Sequence, residues 1–186
     1  MTKQVASEEE IRSINQCFPL IKQIKRDDIR EKVIQAWVRV WRASGHARLE
    51  RAPHLPSDSP PQQTLVKHIN ASAEAALAVA KQFEEEYGIP VNFDYLIAAA
   101  ILHDVDNLVI YEEKEGRVEQ SELGKMIPHG VYGAYIALEV GLPLEIVHVI
   151  ATHTPQCAVD CSTIEGVIIV HCERAKLYAL RTQIDR

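Results

Sequence analysis

The sequence predicts an all-α protein, a helical bundle rather than a solenoid, and three observations carry that expectation. Apolar residues recur at helical spacing through most of the chain, Gly and Pro punctuate the places where helices should stop, and no fixed-period repeat is present. At 186 residues with 47% apolar content, the chain can bury one sizeable core. We read a main domain over 64–186, preceded over 1–63 by an N-terminal helical extension and a Pro-rich connector.

Ser7 followed by Glu10 has capping-box spacing, and Pro19 can occupy an early turn of a long amphipathic segment running to about Ala43. Along it Leu20, Ile21, Ile24, Ile29, Val33, Trp37, Val40 and Trp41 recur near helical spacing, so both tryptophans are expected as core anchors. The same stripe suits a second copy of the chain equally well, which makes this helix the expected surface of any homo-oligomer. Gly45 and the Pro-rich stretch 52–61 then break the helix and form a stiff connector. His46 and His54, beside this break, read as surface residues.

From Thr64 to Tyr87 an Ala-rich helix is stopped by Gly88-Ile89-Pro90, which places His68 near its first turn. Asn92 caps the next helix, which runs through Leu102 and is apolar almost all round, so it should be central and should deliver His103-Asp104 at its buried end. Asn107 to Gln120 alternates like a short hairpin turning at Glu115-Gly116, a candidate flap over a site. Helix signals return from His129 to Leu138, ended by Gly141, and from Pro143 to about Thr152, with Pro143 in the first turn. His129 thus opens one helix and His153 closes the other. A last helix from Thr163 to about Thr182 carries His171, Cys172 and Glu173.

The formal charge is -6, and the basic residues of Lys22 to Lys32 alternate with acids, so nucleic acid is not an expected partner. The Glu8-Glu9-Glu10 and Glu84-Glu85-Glu86 runs read as solvated helix faces. Four cysteines without a dense framework, and an N-terminus without an apolar signal region, point to a reducing cytoplasm. No apolar segment is long enough to cross a bilayer, so no membrane partner is expected. Cys157 and Cys161 lack the second close pair that a structural zinc site needs.

The chemistry concentrates on His103-Asp104. The doublet follows an apolar run, where an unpaired charge is costly to bury unless it is coordinated or ion-paired. His68, His129, His153 and Glu173 could meet it in space. Imidazoles and carboxylates are what a borderline divalent metal prefers, and six such groups exceed one tetrahedral site while suiting one or two octahedral ions. Taken singly each histidine is weak evidence, and the doublet is the strong part.

The ordered series, with the flanks HINASAEAALAVA, AAAILHDV, SELGKMIPHGVYGAYIALEVGLP and EIVHVIATHTPQ, resembles the HD superfamily of metal-dependent phosphohydrolases, in the version whose extra histidines hold a second metal. The resemblance covers roughly 64–180 and implies an HD-domain-like helical bundle. It implies that His68, His103, Asp104 and a late acid hold one ion, that His129 and His153 complete a second, and that Asp104, bridging the two, is the catalytic carboxylate. The cofactor would be one or two divalent transition-metal ions, with Fe, Mn, Zn, Ni and Co not distinguished. The implied reaction is hydrolysis of a small phosphoester or nucleotide by a metal-activated water.

The sequence departs from the family pattern in three places. The late acid is Glu173 in His171-Cys172-Glu173 where relatives usually have Asp, and a shift of one residue would put Cys172 there. Many two-metal relatives follow the doublet with Gly-Lys, whereas this chain has Asp106-Asn107, leaving Asn107 at the phosphate-binding position and Asp106 as an acid expected to repel an approaching phosphate. Lys125 is then the candidate substrate cation, with Lys114 and Arg117 the other bases of that stretch. These departures keep open an HD-fold metalloenzyme acting on a non-phosphate small molecule, as a hydratase or a di-iron oxygenase. A non-catalytic binding module is a further alternative, opposed by the retention of all six ligands.

Overall fold

Helix α4 (Phe93–Leu102) lies at the centre of the bundle, with every residue from Leu96 to Leu102 buried. Its sequence is apolar on all sides, so it is stable only where other helices surround it. The computed structural model describes residues 6–59 and 63–184, so Pro60 and Pro61 of the connector lie outside the described residues. Around α4 pack α3 (Leu65–Tyr87), α8 (Leu144–Thr152), α2 (Asp27–Ala43) and α9 (Ile164–Ile184). Asn92 caps α4 by accepting from the Tyr95 N–H at 3.2 Å.

The N-terminal segment contributes to the same core. Helix α1 (Glu8–Cys17) opens with the expected capping box, Ser7 accepting from the Glu10 N–H while the Glu10 carboxylate accepts from the Ser7 N–H. The expected single long helix is corrected: α1 ends at Cys17, Pro19–Gln23 forms a tight 3-10 turn, and α2 begins at Asp27. Pro19 lacks an N–H and its ring collides with the carbonyl one turn back, so α1 cannot run through it. Between the two helices, the Asp94 carboxylate of α4 accepts from the Lys25 and Arg26 N–H groups at 2.7 and 3.0 Å. Trp37 is fully buried, stacked on Phe18 with ring centroids 4.4 Å apart. Trp41 is half-buried and donates its indole N–H to the His46 carbonyl at 2.8 Å, and His46 is itself half-buried rather than on the surface.

Gly88 ends α3 in the left-handed conformation, φ 65°, and its N–H returns to the Glu84 carbonyl. The hairpin forms as β1 (Tyr111–Lys114) and β2 (Arg117–Gln120), antiparallel, with Glu115 and Gly116 both at positive φ in the turn. Its predicted start is corrected, because Asn107–Ile110 winds into one helical turn, α5, whose Val109 and Ile110 N–H groups donate to the Asp106 carbonyl. Ser121 then caps the short α6 (Glu122–Met126), and α7 (Val131–Glu139) begins after Gly130. Pro143 stands just before α8 as its cap rather than inside its first turn.

The connector is pinned by backbone hydrogen bonds. Pro53 forms an antiparallel bridge with Thr64, the His54 N–H donates to the Gln63 carbonyl at 3.1 Å, and the Leu65 N–H donates to the Ala52 carbonyl at 2.8 Å. Further on, the Ser57 N–H donates to the Val118 carbonyl of β2 at 2.9 Å, which ties connector and hairpin together. Among the described residues no helix is long and apolar enough to cross a membrane.

Candidate metal centre

The termini of four helices and the middle of a fifth converge on Asp104. It follows His103 at the C-terminal end of α4, His68 lies in the first turns of α3, His129 precedes α7, His153 closes α8, and Glu173 projects from the middle of α9. One ligand atom each from His68, His103, Asp104 and Glu173 lie within 4.8 Å of one another, and so do those of Asp104, His129 and His153. All six predicted ligands are thus brought together, with Asp104 common to both groups.

The two oxygens of Asp104 face different histidines. Oδ2 lies 3.0 Å from His68 Nε2 and 3.5 Å from His103 Nε2, while Oδ1 lies 2.8 Å from His129 Nε2 and 3.3 Å from His153 Nε2. Glu173 Oε1 closes the first group at 3.6 Å from His68 Nε2. Ligands bound at about 2.1 Å to one ion sit roughly 3.0 Å apart at right angles and roughly 3.4 Å apart at the tetrahedral angle. The observed separations, from 2.8 to 3.6 Å, lie around such edges. His68 Nε2, His103 Nε2 and Asp104 Oδ2 are moreover buried with no hydrogen-bond partner, which is costly for polar atoms unless something else satisfies them. The donor set therefore fits divalent ions.

The outward ring nitrogens are arranged to keep the Nε2 atoms aimed inward. His103 Nδ1 contacts the Ala100 carbonyl at 2.8 Å and His153 Nδ1 the Ile150 carbonyl at 2.9 Å. A carbonyl only accepts, so both rings carry a proton on Nδ1 and present an Nε2 lone pair. His129 Nδ1 pairs instead with Asp106 Oδ1 at 2.8 Å. Lys176 of α9 places its ammonium 3.0 Å from His68 Nδ1 and donates to the His68 carbonyl and to Ser72 Oγ.

The electrostatics follow from burial and from the shared carboxylate. Burial drives His103 down to about 4, so this imidazole is neutral and ready to ligate. At Asp104 burial opposes the charge, but His103 and the close imidazoles of His129, His153 and His54 outweigh it and hold the carboxyl well below its ordinary value. Glu173 is likewise desolvated, yet the facing His68 imidazole and the nearby His103 bring it to about 2. His129 also loses solvent, and the neighbouring Asp106 and Asp104 nevertheless raise it well above its ordinary value. Burial lowers Lys176 to about 8 despite Glu173 and Asp104.

The two predicted substrate contacts have other partners. Asn107 is buried and donates its amide to the His54 carbonyl at 3.3 Å, and Lys125 is paired with Glu122 at 2.8 Å on the exposed face of α6. Asp106, read from the sequence as an acid facing substrate, is fully buried and accepts at Oδ2 from the Gly130 N–H at 2.8 Å.

His54 is the main correction to the sequence reading. It is buried rather than on the surface, with Nε2 3.3 Å from Asp104 Oδ2 and its ring stacked on His68 at 3.5 Å. The antiparallel bridge at Pro53 turns Ala52 and His54 to the same side, and Ala52 is fully buried, but that pairing is a long-range feature the sequence does not announce. Lys176 likewise carried no signal, because its place on α9 offers only an isolated basic residue.

A family model described as the HD domain matches residues 65–174. Over 90 residues the chain is 31% identical to a protein of Methanocaldococcus jannaschii named dihydroneopterin 2',3'-cyclic phosphate phosphodiesterase, a stretch that covers 48% of this chain and 36% of that one. No solved structure matches.

Proposed function

The chain belongs to the HD domain family of metal-dependent phosphohydrolases, and from that premise we propose that it cleaves a small phosphoester by means of a metal-activated water, with Asp104 the residue that would help to hold both of two divalent ions. The observation that carries this reading is the division of labour within one carboxylate, Oδ2 serving His68 and His103 while Oδ1 serves His129 and His153. An ion pair at such a site supplies polarisation of a phosphoryl oxygen and a water whose pKa falls toward neutrality.

The residues of the chain do the holding and aiming. His68, His103, Asp104 and Glu173 would hold one ion, and Asp104, His129 and His153 the other. Four imidazoles with two carboxylates suit Fe, Mn, Zn, Ni or Co rather than Mg or Ca. The 64–186 domain would supply these six ligands, and His54 of the preceding segment lies beside Asp104 and His68. A phosphodiester is the favoured substrate class, in keeping with the name of the methanogen relative. Lys125 would reach a substrate phosphate only by leaving Glu122.

A second reading, action on a non-phosphate small molecule, is favoured by one feature: Asn107 stands where many relatives offer a lysine, and its amide is turned to a backbone carbonyl. One experiment separates the two. Elemental analysis of protein purified without chelator, beside an Asp104→Ala variant, is combined with turnover of bis(4-nitrophenyl) phosphate and a 2',3'-cyclic nucleotide. Two equivalents of metal and phosphodiester cleavage, both lost in the variant, support the proposal. Full metal loading with no cleavage of either ester moves the assignment to non-phosphate chemistry, and absence of metal from both proteins overturns the metalloenzyme reading.

A further inference from the structure

We propose that Lys176 of α9 is a positioning residue for the first ion: it clamps His68 from behind and sets the spacing of α3 and α9, the helices that carry His68 and Glu173. The proposal rests on the two-ion reading above and adds to it a residue that lies beyond the stretch matching the family, which ends at residue 174. Lys176 Nζ lies 3.0 Å from His68 Nδ1, and it donates to the His68 carbonyl at 2.9 Å and to Ser72 Oγ at 2.6 Å. Ring and backbone of one ligand are thus gripped by a single side chain from another helix.

Helix geometry brings the clamp and the ligand to the same place. Lys176 follows Glu173 by one turn of α9, so both side chains lie on one face of that helix and both meet His68. Glu173 Oε1 stands 3.6 Å from Nε2, while Lys176 takes the opposite side of the ring at Nδ1. On α3 the fully buried Ser72 follows His68 by one turn and donates its hydroxyl to the His68 carbonyl at 3.1 Å, which leaves its oxygen to accept from Lys176. A lysine is seldom drawn inward unless its nitrogen is paired, and here each contact of that nitrogen falls on His68 or on the residue one turn behind it.

His68 needs this support more than its neighbours do. His103 and His153 fix their rings through Nδ1 and the carbonyls of Ala100 and Ile150. Among the described residues no carbonyl does this for His68, whose Nδ1 meets Lys176 and, at 3.3 Å, the amide of Gln63. An ion bound at Nε2 leaves one proton in the contact between Nδ1 and Nζ, on whichever nitrogen, so the clamp persists when the site is filled. His54, stacked on the ring at 3.5 Å, covers its face, and Lys176 holds its edge. With that edge released the ring can tilt and Nε2 loses its aim at the position beside Asp104 Oδ2, 3.0 Å away.

The test compares four full-length proteins: wild type, Lys176→Met, which keeps an apolar stem and removes the nitrogen, Glu173→Gln, and the double variant. After chelator treatment and dialysis, each is titrated calorimetrically with Mn2+, and its Co2+ derivative at saturation is read by visible absorption. Far-UV circular dichroism certifies the fold. The expected result is two sites in the wild type, with one weakened about 10–100-fold in Lys176→Met, a changed Co2+ d–d band, and the other site unaltered. In Glu173→Gln, where the second site remains, adding Lys176→Met is expected to change nothing. Unchanged affinities in folded Lys176→Met, equal weakening of both sites, weakened affinity with an unaltered Co2+ band, or a further loss in the double variant each overturn the proposal. Should Lys176→Met fail to fold, Ser72→Ala, which removes one of the three contacts, takes its place: a smaller loss confined to one site is expected, and no loss overturns the proposal equally. If the wild type itself takes up neither metal, the two-ion reading fails first, and that outcome is distinct from a failure of Lys176 alone.

Discussion

Asp106 and His129 form a buried ion pair, Oδ1 to Nδ1 at 2.8 Å, that points the opposite ring nitrogen at Asp104. The other oxygen of Asp106 accepts from the Gly130 N–H ahead of α7, so one side chain fixes both a ligand and the helix start behind it. Replacement by Asn keeps the shape and removes the charge. Asp106→Asn is expected to weaken one metal equivalent by about 10–100-fold, read by calorimetric titration, and to leave the other unchanged. Asp106→Ala adds the cost of orphaned buried N–H groups, about 1–3 kcal/mol, read by chemical denaturation.

Glu173 contacts His68, whereas Cys172 is half-buried with its thiol pushed up by desolvation. The alternative register at this step predicts the reverse importance. Glu173→Gln is expected to halve metal content by elemental analysis, and Cys172→Ala to leave it intact.

Metal uptake should expel a proton. The raised pKa of His129 means that the metal-free ring holds a proton near neutrality, which an ion must displace. Apparent affinity therefore rises with pH until the raised value is passed. The sign for stability is opposite. A folded-state pKa above the ordinary 6.5 contributes stability that is complete below 6.5 and fades as pH climbs through the raised value. Titrations in two buffers of different ionisation enthalpy, and melting of the metal-free protein between pH 6 and 9, check the two trends.

Trp37 fills the junction between the N-terminal segment and the bundle, fully buried against Phe18. Trp37→Ala is expected to cost about 3–5 kcal/mol in urea denaturation, with metal content at low temperature unaltered.

The helices and the His103-Asp104 doublet were legible because each rests on a local signal, while His68, His129, His153 and Glu173, weak singly, stood out only as an ordered series around it. Helical spacing marks α3, Asn92 marks the start of α4, and a His-Asp pair after seven buried apolar residues marks a compensated charge. What was not legible depends on contacts distant in sequence. His54 reaches Asp104 only because the connector pairs with residues on both sides of it, and Pro-rich composition alone suggests exposure. Asp106 read as a repulsive acid because its partners, Gly130 and His129, lie 24 and 23 residues away. The break at Pro19 was hidden by apolar spacing that continues through the turn.

Helix α4 has both ends committed, Asp94 in its first turn holding the Lys25 and Arg26 N–H groups and His103-Asp104 finishing it. It works as a ruler with a fixed angular setting. One residue added between Leu96 and Leu102 would swing the doublet by about 100° about the helix axis and lift it about 1.5 Å, aiming Asp104 away from three of its histidines while the far end stayed clamped. Length variation in this chain is thus permitted at the turn of the hairpin and forbidden along α4, whatever side chains are chosen to fill it.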